Sequence, residues 1–281
     1  MTRTRVFALT LLAMLAFAAN SLLCRVALKH TNIDAASFTL VRIASGALAL
    51  WLIARVRDGQ AVSAGSWPSA LALFVYAAAF SFAYVTLTAA TGALLLFGAV
   101  QTTMIGFALC RGERLGAWQG LGLACALAGL VYLLLPGLSA PPFQSAALML
   151  LAGAAWGAYS LRAKGSGDPL RATAGNFGRA VLLAVALSLA TTPWVSFDAT
   201  GVGFAVASGA IASDVGYAVW YAALPALKPT SAASVQLSVP LIAAAGGMLW
   251  LGEPFTPRFV IASITILGGI ALVIVRPQRG V

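Results

Sequence analysis

The sequence has very little charge for its length. Of its 281 residues, 9% are charged and only 7 are acidic, whereas 61% are hydrophobic. So apolar a chain does not provide the polar surface that a soluble globular protein needs. We therefore expect lipid as its solvent, where helices satisfy their own backbone hydrogen bonds.

Residues that build metal sites, disulfides and nucleotide sites are also scarce. There is one histidine, His30, and the three cysteines, Cys24, Cys110 and Cys125, lack the spacing of a metal site or a disulfide framework. No Walker-type glycine-rich loop occurs, which argues against ATP as the energy source. No paired-carboxylate, His/Cys or Ser/His constellation falls in the apolar runs. We expect a protein that is not an enzyme, with no catalytic residue, cofactor or metal.

Long apolar runs dominate what remains. A run of ~20 residues crosses the hydrocarbon core as a helix. Divisions at charges, prolines and Gly/Ser turns predict ten spans, at 6–28, 35–54, 68–88, 91–110, 116–135, 145–163, 171–192, 201–222, 231–251 and 258–275. The sequence thus predicts an all-α membrane protein with ten transmembrane helices. The first span is expected to be retained, because it is long and lacks a signal-peptide cleavage site.

The formal charge of +10 raises the alternative of nucleic-acid binding, and the placement of the basic residues decides against it. With the N-terminus inside, the inner segments hold twelve of the seventeen Lys and Arg residues. The outer segments hold Arg25, Lys29 and Arg258, while Arg42 and Arg179 fall inside spans. This asymmetry is the positive-inside rule. We expect both termini in the cytoplasm and no nucleic-acid partner.

The two halves of the chain are related by an internal repeat. A shift of 137 residues, followed by a shift of 140 after a three-residue insertion, superposes charged and aromatic positions in order. The matched positions are Arg25 with Arg162, Arg42 with Arg179, Tyr84–Leu87 with Tyr221–Leu224, Ala93 with Ala233, and Gly112-Glu113 with Gly252-Glu253. Five spans in each half, an odd number, require opposite orientations. We predict two inverted five-helix units, 1–137 and 138–281, an arrangement typical of secondary transporters.

On these residues the chain resembles the EamA-type carriers of the drug/metabolite transporter superfamily over essentially its whole length. Within that superfamily it is similar to the bacterial aromatic amino-acid exporters in length and in its aromatic-rich spans. The resemblance implies a central cavity lined by the first, third, fourth, sixth, eighth and ninth spans, with the fifth and tenth peripheral. The resemblance implies a Trp-Gly pair in the first and sixth spans. The sixth span has it as Trp156-Gly157, whereas the first span has Ala19-Asn20 instead.

Aromatic and polar stripes on helical faces indicate surfaces turned towards protein or water rather than lipid. Tyr76, Phe80 and Tyr84 recur every four residues in the third span. The eighth span carries Ser213, Asp214, Tyr217, Trp220 and Tyr221. The repeat superposes the two stripes. Such a surface suits an amphipathic metabolite, because rings bury its side chain and attract cations; tight interhelical packing is the alternative.

Asp214 is the one carboxylate placed well inside a span, where an unpaired charge is costly. It could hold a substrate ammonium, titrate as a proton-coupling site, or accept hydrogen bonds from Ser or Tyr neighbours. Trp156, with Tyr159 one turn on, is predicted as a stacking surface for substrate. Asn20, Gln101 and Gln236 could bind a carboxylate or amide, or bond between helices.

Arg42 and Arg179 are related by the repeat. Each could steer a carboxylate or lock a gate; the alternative is an arginine that snorkels or clamps neighbouring carbonyls. Pro240 is predicted to kink the ninth span and to act as a hinge, although kinks also occur as static features.

These observations predict a secondary, non-ATP transporter of the bacterial inner membrane that exports amino acids, preferentially aromatic or hydrophobic, by alternating access. Its partners would be the lipid bilayer and an amino-acid substrate, with proton coupling left open. The main alternative is an exporter of other small metabolites or cationic drugs.

Overall fold

The computed structural model describes residues 2–58, 64–112, 115–137, 140–163, 168–223, 226–227 and 235–275. Within these ranges the chain is helical, with short turns and no strand. The first seven helices are α1 (Arg3–His30), α2 (Ala35–Asp58), α3 (Trp67–Tyr84), α4 (Ala89–Cys110), α5 (Ala117–Leu134), α6 (Phe143–Ala163) and α7 (Pro169–Ala190). They are followed by α8 (Ala199–Val206), α9 (Gly216–Ala223), α10 (Ser238–Leu251) and α11 (Pro257–Val275).

Side-chain caps mark where several helices begin. The Ser66 side chain accepts from the Ser69 amide before α3, and the Thr88 side chain accepts from the Thr91 amide before α4. Asp168 and Asp198 cap α7 and α8 in the same way. These contacts satisfy amides that a helix leaves unpaired at its first turn. The helix starts predicted from the sequence agree with them to within a few residues.

The eighth predicted span is not a uniform α-helix. Between α8 and α9 the backbone is π-helical over Ala207–Val215, the π segment, and the three pieces follow one another without a break. A π-helix accommodates an additional residue in each turn and often occurs at functional sites. The sequence periodicity predicted α-helical spacing here, and side chains were assigned to helix faces on that basis. The wider turns of the π-helix change which side chains share a face.

The helix termini meet in two groups. The C-terminal part of α1, the end of α3, the start of α4 and the end of α10 meet around Arg25. At the other end of the molecule, the end of α6 meets the start of α3 through Arg162, and the end of α2 meets the start of α7. We call these the Arg25 end and the Arg162 end.

Helices from the two halves of the chain interleave. α3 and α4 pack against α6, α2 packs against α7 and the π segment, and α1 packs against α9, α10 and the π segment. α5 packs mainly against α11, with Gly122 and Gly269 at the contact, where a methyl group on Gly122 would lie 2.5 Å from the Gly269 carbonyl oxygen. Small residues let two backbones approach closely in lipid.

The outer surface is apolar. Large side chains such as Phe7, Val56, Leu189 and Ile264 are exposed, as expected for faces that contact lipid rather than water. Among the described residues, seven helices, α1 to α5, α7 and α11, are long and apolar enough to cross a bilayer on their own. Two shorter apolar helices cover Ala199–Val215 and Ser238–Leu251.

The ninth predicted span, 231–251, is described from residue 235, and residues 235–236 are helical. Residues 228–234 lie outside the described part, and α10 begins at Ser238 after a turn at Leu237. Pro240, predicted at mid-span, therefore lies in the first turn of α10. Proline is tolerated there because a first-turn amide has no helical partner to lose.

Candidate functional site

The ring of Trp156 lies at the centre of an aromatic cluster formed by three helices. It contacts Tyr76 of α3 at 4.9 Å between ring centroids and stacks on Tyr159 of its own helix at 5.3 Å. On another side it stacks on Tyr217 of α9, at 5.1 Å and an interplanar angle of 17°. These four residues, which we call the aromatic cluster, come from both halves of the chain.

Further rings extend the cluster in two directions. Along α3, Phe80 lies 5.5 Å from Tyr76 and 4.7 Å from Tyr84. Beyond Tyr217, Phe17 of α1 contacts Tyr217 at 5.6 Å and Trp220 at 6.3 Å. Sequence reasoning missed Phe17, because it belongs to neither aromatic stripe and only helix packing brings α1 beside α9.

Tyr84 has a structural role, unlike the rings at the centre of the cluster. It is fully buried, its hydroxyl donates to the Ala89 carbonyl, and its ring fills the space beside Gly92. These contacts fix the turn between α3 and α4 at the Arg25 end. The backbone of Tyr221 lies in α9, but its side chain lies outside the described part of the structure.

Asn20 connects α1 to two other helices. Its carbonyl oxygen accepts from Ser208 at 2.6 Å and from Ser213 at 3.5 Å, both in the π segment. Its amide nitrogen donates to the Tyr76 hydroxyl at 3.4 Å. The residue that replaces the family Trp-Gly pattern thus forms an interhelical hydrogen-bond network beside the aromatic cluster. Ser208 had no sequence signal beyond its polarity.

Arg42 lies inside the helix bundle and is 3% exposed. Its Nη2 donates to the Tyr76 hydroxyl at 3.1 Å, and its guanidinium lies over the rings of Phe80 and Tyr76, at 4.7 and 5.3 Å from their centroids. Nη1 has no hydrogen-bond partner among the described residues. Cation–π contacts and one hydrogen bond leave part of its donor capacity unused.

Asp214 lies in the π segment and is fully buried. Neither carboxylate oxygen has a hydrogen-bond partner in the described part of the chain. The carboxylate lies against α2 at Gly46, where a methyl group would come within 2.5 Å of Oδ2. The sequence analysis allowed Asp214 to accept hydrogen bonds from Ser or Tyr neighbours. The described contacts contain no such hydrogen bond.

Arg179 makes different contacts from Arg42. Its Nη1 donates to the carbonyls of Ala64 and Gly175, each at 2.9 Å, which ties α7 to the segment before α3. Gln101 is buried on α4, and Gln236 is half-buried just before α10. The structure does not bring Gln101, Gln236, Arg179 or Pro240 into contact with the aromatic cluster through any described hydrogen bond or ring contact.

A buried ion pair joins α1 to the end of α10 at the Arg25 end. Arg25 Nε lies 3.1 Å from Glu253 Oε1, and Arg25 Nη1 donates to the carbonyls of Tyr84 and Val85, each at 2.9 Å. The other oxygen of Glu253 accepts from the Ala89 amide at 2.8 Å. The sequence marked both residues through the repeat, but their pairing across 228 positions had no local signal. Glu113, the repeat partner of Glu253, lies outside the described residues.

The Arg162 end is held differently. Arg162 is exposed, and its Nε donates to Ser69 at 3.1 Å. Asn176 of α7 accepts from the Ser66 amide at 2.8 Å and donates to the Tyr159 hydroxyl at 3.4 Å. Arg57 and Asp168 form an exposed ion pair. A hydrogen-bond path therefore runs from this end to the aromatic cluster through Tyr159.

No group of three or more metal-ligating side chains occurs among the described residues. The groups inside the helix bundle that could bind a small molecule are the partly buried aromatic cluster, the Asn20 network, Arg42 and Asp214. They combine a flat apolar surface with one positive and one negative group, which suits an amphipathic ligand with charges.

Comparison with known proteins agrees with this architecture. The profile of the EamA-like transporter family matches residues 144–275, which cover α6 to α11. The uncharacterized protein PA1977 of Pseudomonas aeruginosa is 57% identical over 277 residues, which are 98% of this chain and 96% of the relative. A crystal structure of another protein, 18% identical, superposes with a TM-score of 0.66 over 96% of both chains, which shows a shared fold. The chain carries a domain of the EamA-like transporter family, in the drug/metabolite transporter superfamily, over residues 144–275, and is a multi-pass membrane protein.

Proposed function

We propose that this protein is a secondary transporter that exports amino acids, preferentially aromatic or hydrophobic ones, across the bacterial inner membrane. The observation that carries the proposal is the aromatic cluster around Trp156, bordered by the buried charged residues Arg42 and Asp214. Rings bury an apolar side chain, and buried charges recognise a polar head. The similarity to bacterial aromatic amino-acid exporters seen in the sequence points to the same substrate class.

The proposal includes ten membrane crossings in two inverted units, 1–137 and 138–281. Helix packing supports it. Exchanging α1 with α6, α2 with α7, α3 with α8–α9, α4 with α10 and α5 with α11 converts the α3–α6 contact into the α9–α1 contact. The same exchange converts α4–α6 into α10–α1, and it maps α2–α7 and α5–α11 onto themselves. Such pairing is expected of a pseudo-two-fold axis in the membrane plane.

Transport would proceed by alternating access between the two ends. The support is the difference between those ends, because a buried ion pair joins α1 to α10 at the Arg25 end, whereas the repeat-related Arg162 is exposed. In this scheme the Arg25 end is closed in the present state. Exchange of the two states would break the Arg25–Glu253 pair and move α1 relative to α10.

Orientation follows from the basic residues. Twelve of the seventeen Lys and Arg residues lie in segments that would face the cytoplasm if both termini do. In this orientation the Arg162 end would face the cytoplasm and the Arg25 end would face the outside. The relative from Pseudomonas aeruginosa supports a bacterial setting. The proposal needs no cofactor and no catalytic step.

Flux measurement tests the proposal. Purified protein in liposomes should show saturable transport of radiolabelled phenylalanine, and Trp156→Ala should reduce it at least tenfold, because truncating the half-buried Trp156 removes the stacking surface. Trp250→Ala is the matched control, since Trp250 is 76% exposed on the outer surface. An imposed pH gradient separates a facilitator from a proton-coupled carrier.

A carrier for cationic drugs or other metabolites is the second candidate. Aromatic rings beside a buried carboxylate also attract organic cations, and this supports a cationic drug as the alternative substrate. A cationic dye and threonine serve as competitors in the same vesicles. Dye transport without phenylalanine flux contradicts the amino-acid assignment.

A further inference from the structure

The charged residues beside the aromatic cluster have unused bonding capacity. Arg42 and Asp214 are buried at 3% and 0% exposure. Arg42 Nη1 and both carboxylate oxygens of Asp214 have no hydrogen-bond partner among the described residues. Buried polar groups are almost always paired, and an unpaired buried charge is strongly unfavourable. Their unused donors and acceptors therefore indicate a ligand rather than a packing role.

The two groups lie on one side of α2. Arg42 and Gly46 are separated by four residues, which places them one turn apart on the same face of the helix. Asp214 lies against Gly46, and Gly209 of the same π segment lies against the Arg42 carbonyl. The π segment thus crosses α2 at these two turns. The Asp214 carboxylate therefore lies about one helical turn along α2 from Arg42. The two charges do not pair with each other within 4.0 Å, since the ion pairs described are elsewhere.

The aromatic cluster continues from this pair of charges. Tyr76 accepts a hydrogen bond from Arg42 and contacts Trp156. Tyr217, which stacks on Trp156, follows Asp214 by three residues. A ligand with its ring on Trp156 would therefore present its head to both charged residues.

We infer that Arg42 and Asp214 form a receptor for the zwitterionic head of an α-amino acid, with Arg42 binding the carboxylate and Asp214 the ammonium. This inference rests on the proposed amino-acid carrier function and assigns Arg42 to substrate recognition, whereas Arg179 clamps backbone carbonyls. A guanidinium suits a carboxylate, and a carboxylate accepts from an ammonium, through charge-assisted hydrogen bonds. Gly46 leaves room for the Asp214 carboxylate at the helix contact.

Binding of three related ligands to the purified protein tests the inference by calorimetry. Phenylalanine carries both charges, phenethylamine lacks the carboxylate, and 3-phenylpropanoate lacks the ammonium. Wild-type protein should bind phenylalanine ~10–100-fold more tightly than either analogue, as expected for the loss of one charged hydrogen-bond partner. Arg42→Gln should weaken phenylalanine and 3-phenylpropanoate by a similar factor and leave phenethylamine unchanged. Asp214→Asn should weaken phenylalanine and phenethylamine and leave 3-phenylpropanoate unchanged.

The unchanged ligand of each variant shows that the variant is folded. Arg55→Gln, an exposed arginine of α2, and Asp198→Asn, which keeps the cap of α8, are matched controls and should bind all three ligands as the wild type does. Equal weakening of all three ligands by either test variant, or undiminished phenylalanine binding by Asp214→Asn, overturns the inference while the carrier function stands. Failure of the wild type to bind or transport phenylalanine overturns both.

Discussion

The two ends of the molecule are tied in opposite ways. At the Arg25 end the tie is a buried ion pair, with Arg25 and Glu253 at 8% and 7% exposure and both side chains bonded further to backbone groups. At the Arg162 end the contacts are a neutral hydrogen bond through Asn176, a hydrogen bond from the exposed Arg162 to Ser69, and an exposed ion pair. The contact at the Arg25 end is therefore a buried ion pair, whereas the contacts at the Arg162 end are more exposed to solvent.

The difference matters for the proposed alternating-access scheme. A buried ion pair has paid a large desolvation cost and is stable only while both partners and their backbone contacts remain in place. An exposed pair exchanges with water at little cost. In the proposed alternating-access scheme, opening the Arg25 end would require concerted separation of α1, α10 and the α3–α4 turn, whereas the contacts at the Arg162 end could be released one by one.

The largest expected effect is that of Glu253→Ala. The substitution leaves the Arg25 guanidinium buried without its counter-ion, so the free energy of unfolding should fall by about 3–5 kcal/mol. Thermal unfolding of the purified protein in detergent measures this. Glu253→Gln keeps an acceptor for the Ala89 amide and should lose less. An unchanged melting temperature for Glu253→Ala would show that the pair does not tie the Arg25 end.

An intermediate effect is expected at Asp34, also at the Arg25 end but in the turn between α1 and α2. Its carboxylate accepts from the Ala36 and Ser37 amides and from Ser196 on the other half of the chain. Asp34→Ala removes a helix cap and should cost about 1 kcal/mol in the free energy of unfolding. Asp34→Asn retains most of the cap and is the control.

The same residue gives a pH dependence. Partial burial opposes ionisation of Asp34, but the amides of Ser196, Ser37 and Ala36 prevail and lower its pKa below the ordinary value of 3.8. A lowered folded-state pKa contributes stability that is present above pH 3.8 and is lost as the pH falls through the folded value. Melting temperatures recorded below pH 4 should fall more steeply for the wild type than for Asp34→Asn. Parallel curves would contradict this assignment.

The smallest effect is expected from Arg57→Gln at the Arg162 end. The pair with Asp168 is exposed, with side chains 45% and 33% accessible, and such pairs contribute about 0–1 kcal/mol. The melting temperature should change little compared with Glu253→Ala. A loss as large as that of Glu253→Ala would remove the contrast between the two ends.

Helix positions were largely predictable from the sequence, because in lipid a run of apolar residues has one way to satisfy its backbone. α2, α5 and α6 begin or end within a few residues of the predicted limits. Within the ninth predicted span, apolarity alone gave no signal for the turn at Leu237. The aromatic stripe of α3 was predictable from its four-residue spacing, and Tyr76 and Phe80 do contact each other.

Contacts between distant helices were not predictable. Nothing near Arg25 in the sequence indicates Glu253, and nothing near Asn20 indicates Ser208. The internal repeat marked Arg42 and Arg179 as equivalent, yet one lies over aromatic rings and the other bonds to carbonyls. Equivalent positions acquire different partners because the two halves carry different side chains around them.

The π segment affects the direction in which α9 presents its side chains. Each α-helical residue turns the chain by ~100°, so accommodating one additional residue in a turn rotates everything beyond it by about that angle. Tyr217 and Trp220 follow directly after this segment, and Tyr217 stacks on Trp156. The helical register around Asp214 therefore determines the direction in which α9 presents its aromatic side chains. Rewinding these turns into α-helical form would swing Tyr217 away from Trp156 without any movement of α6.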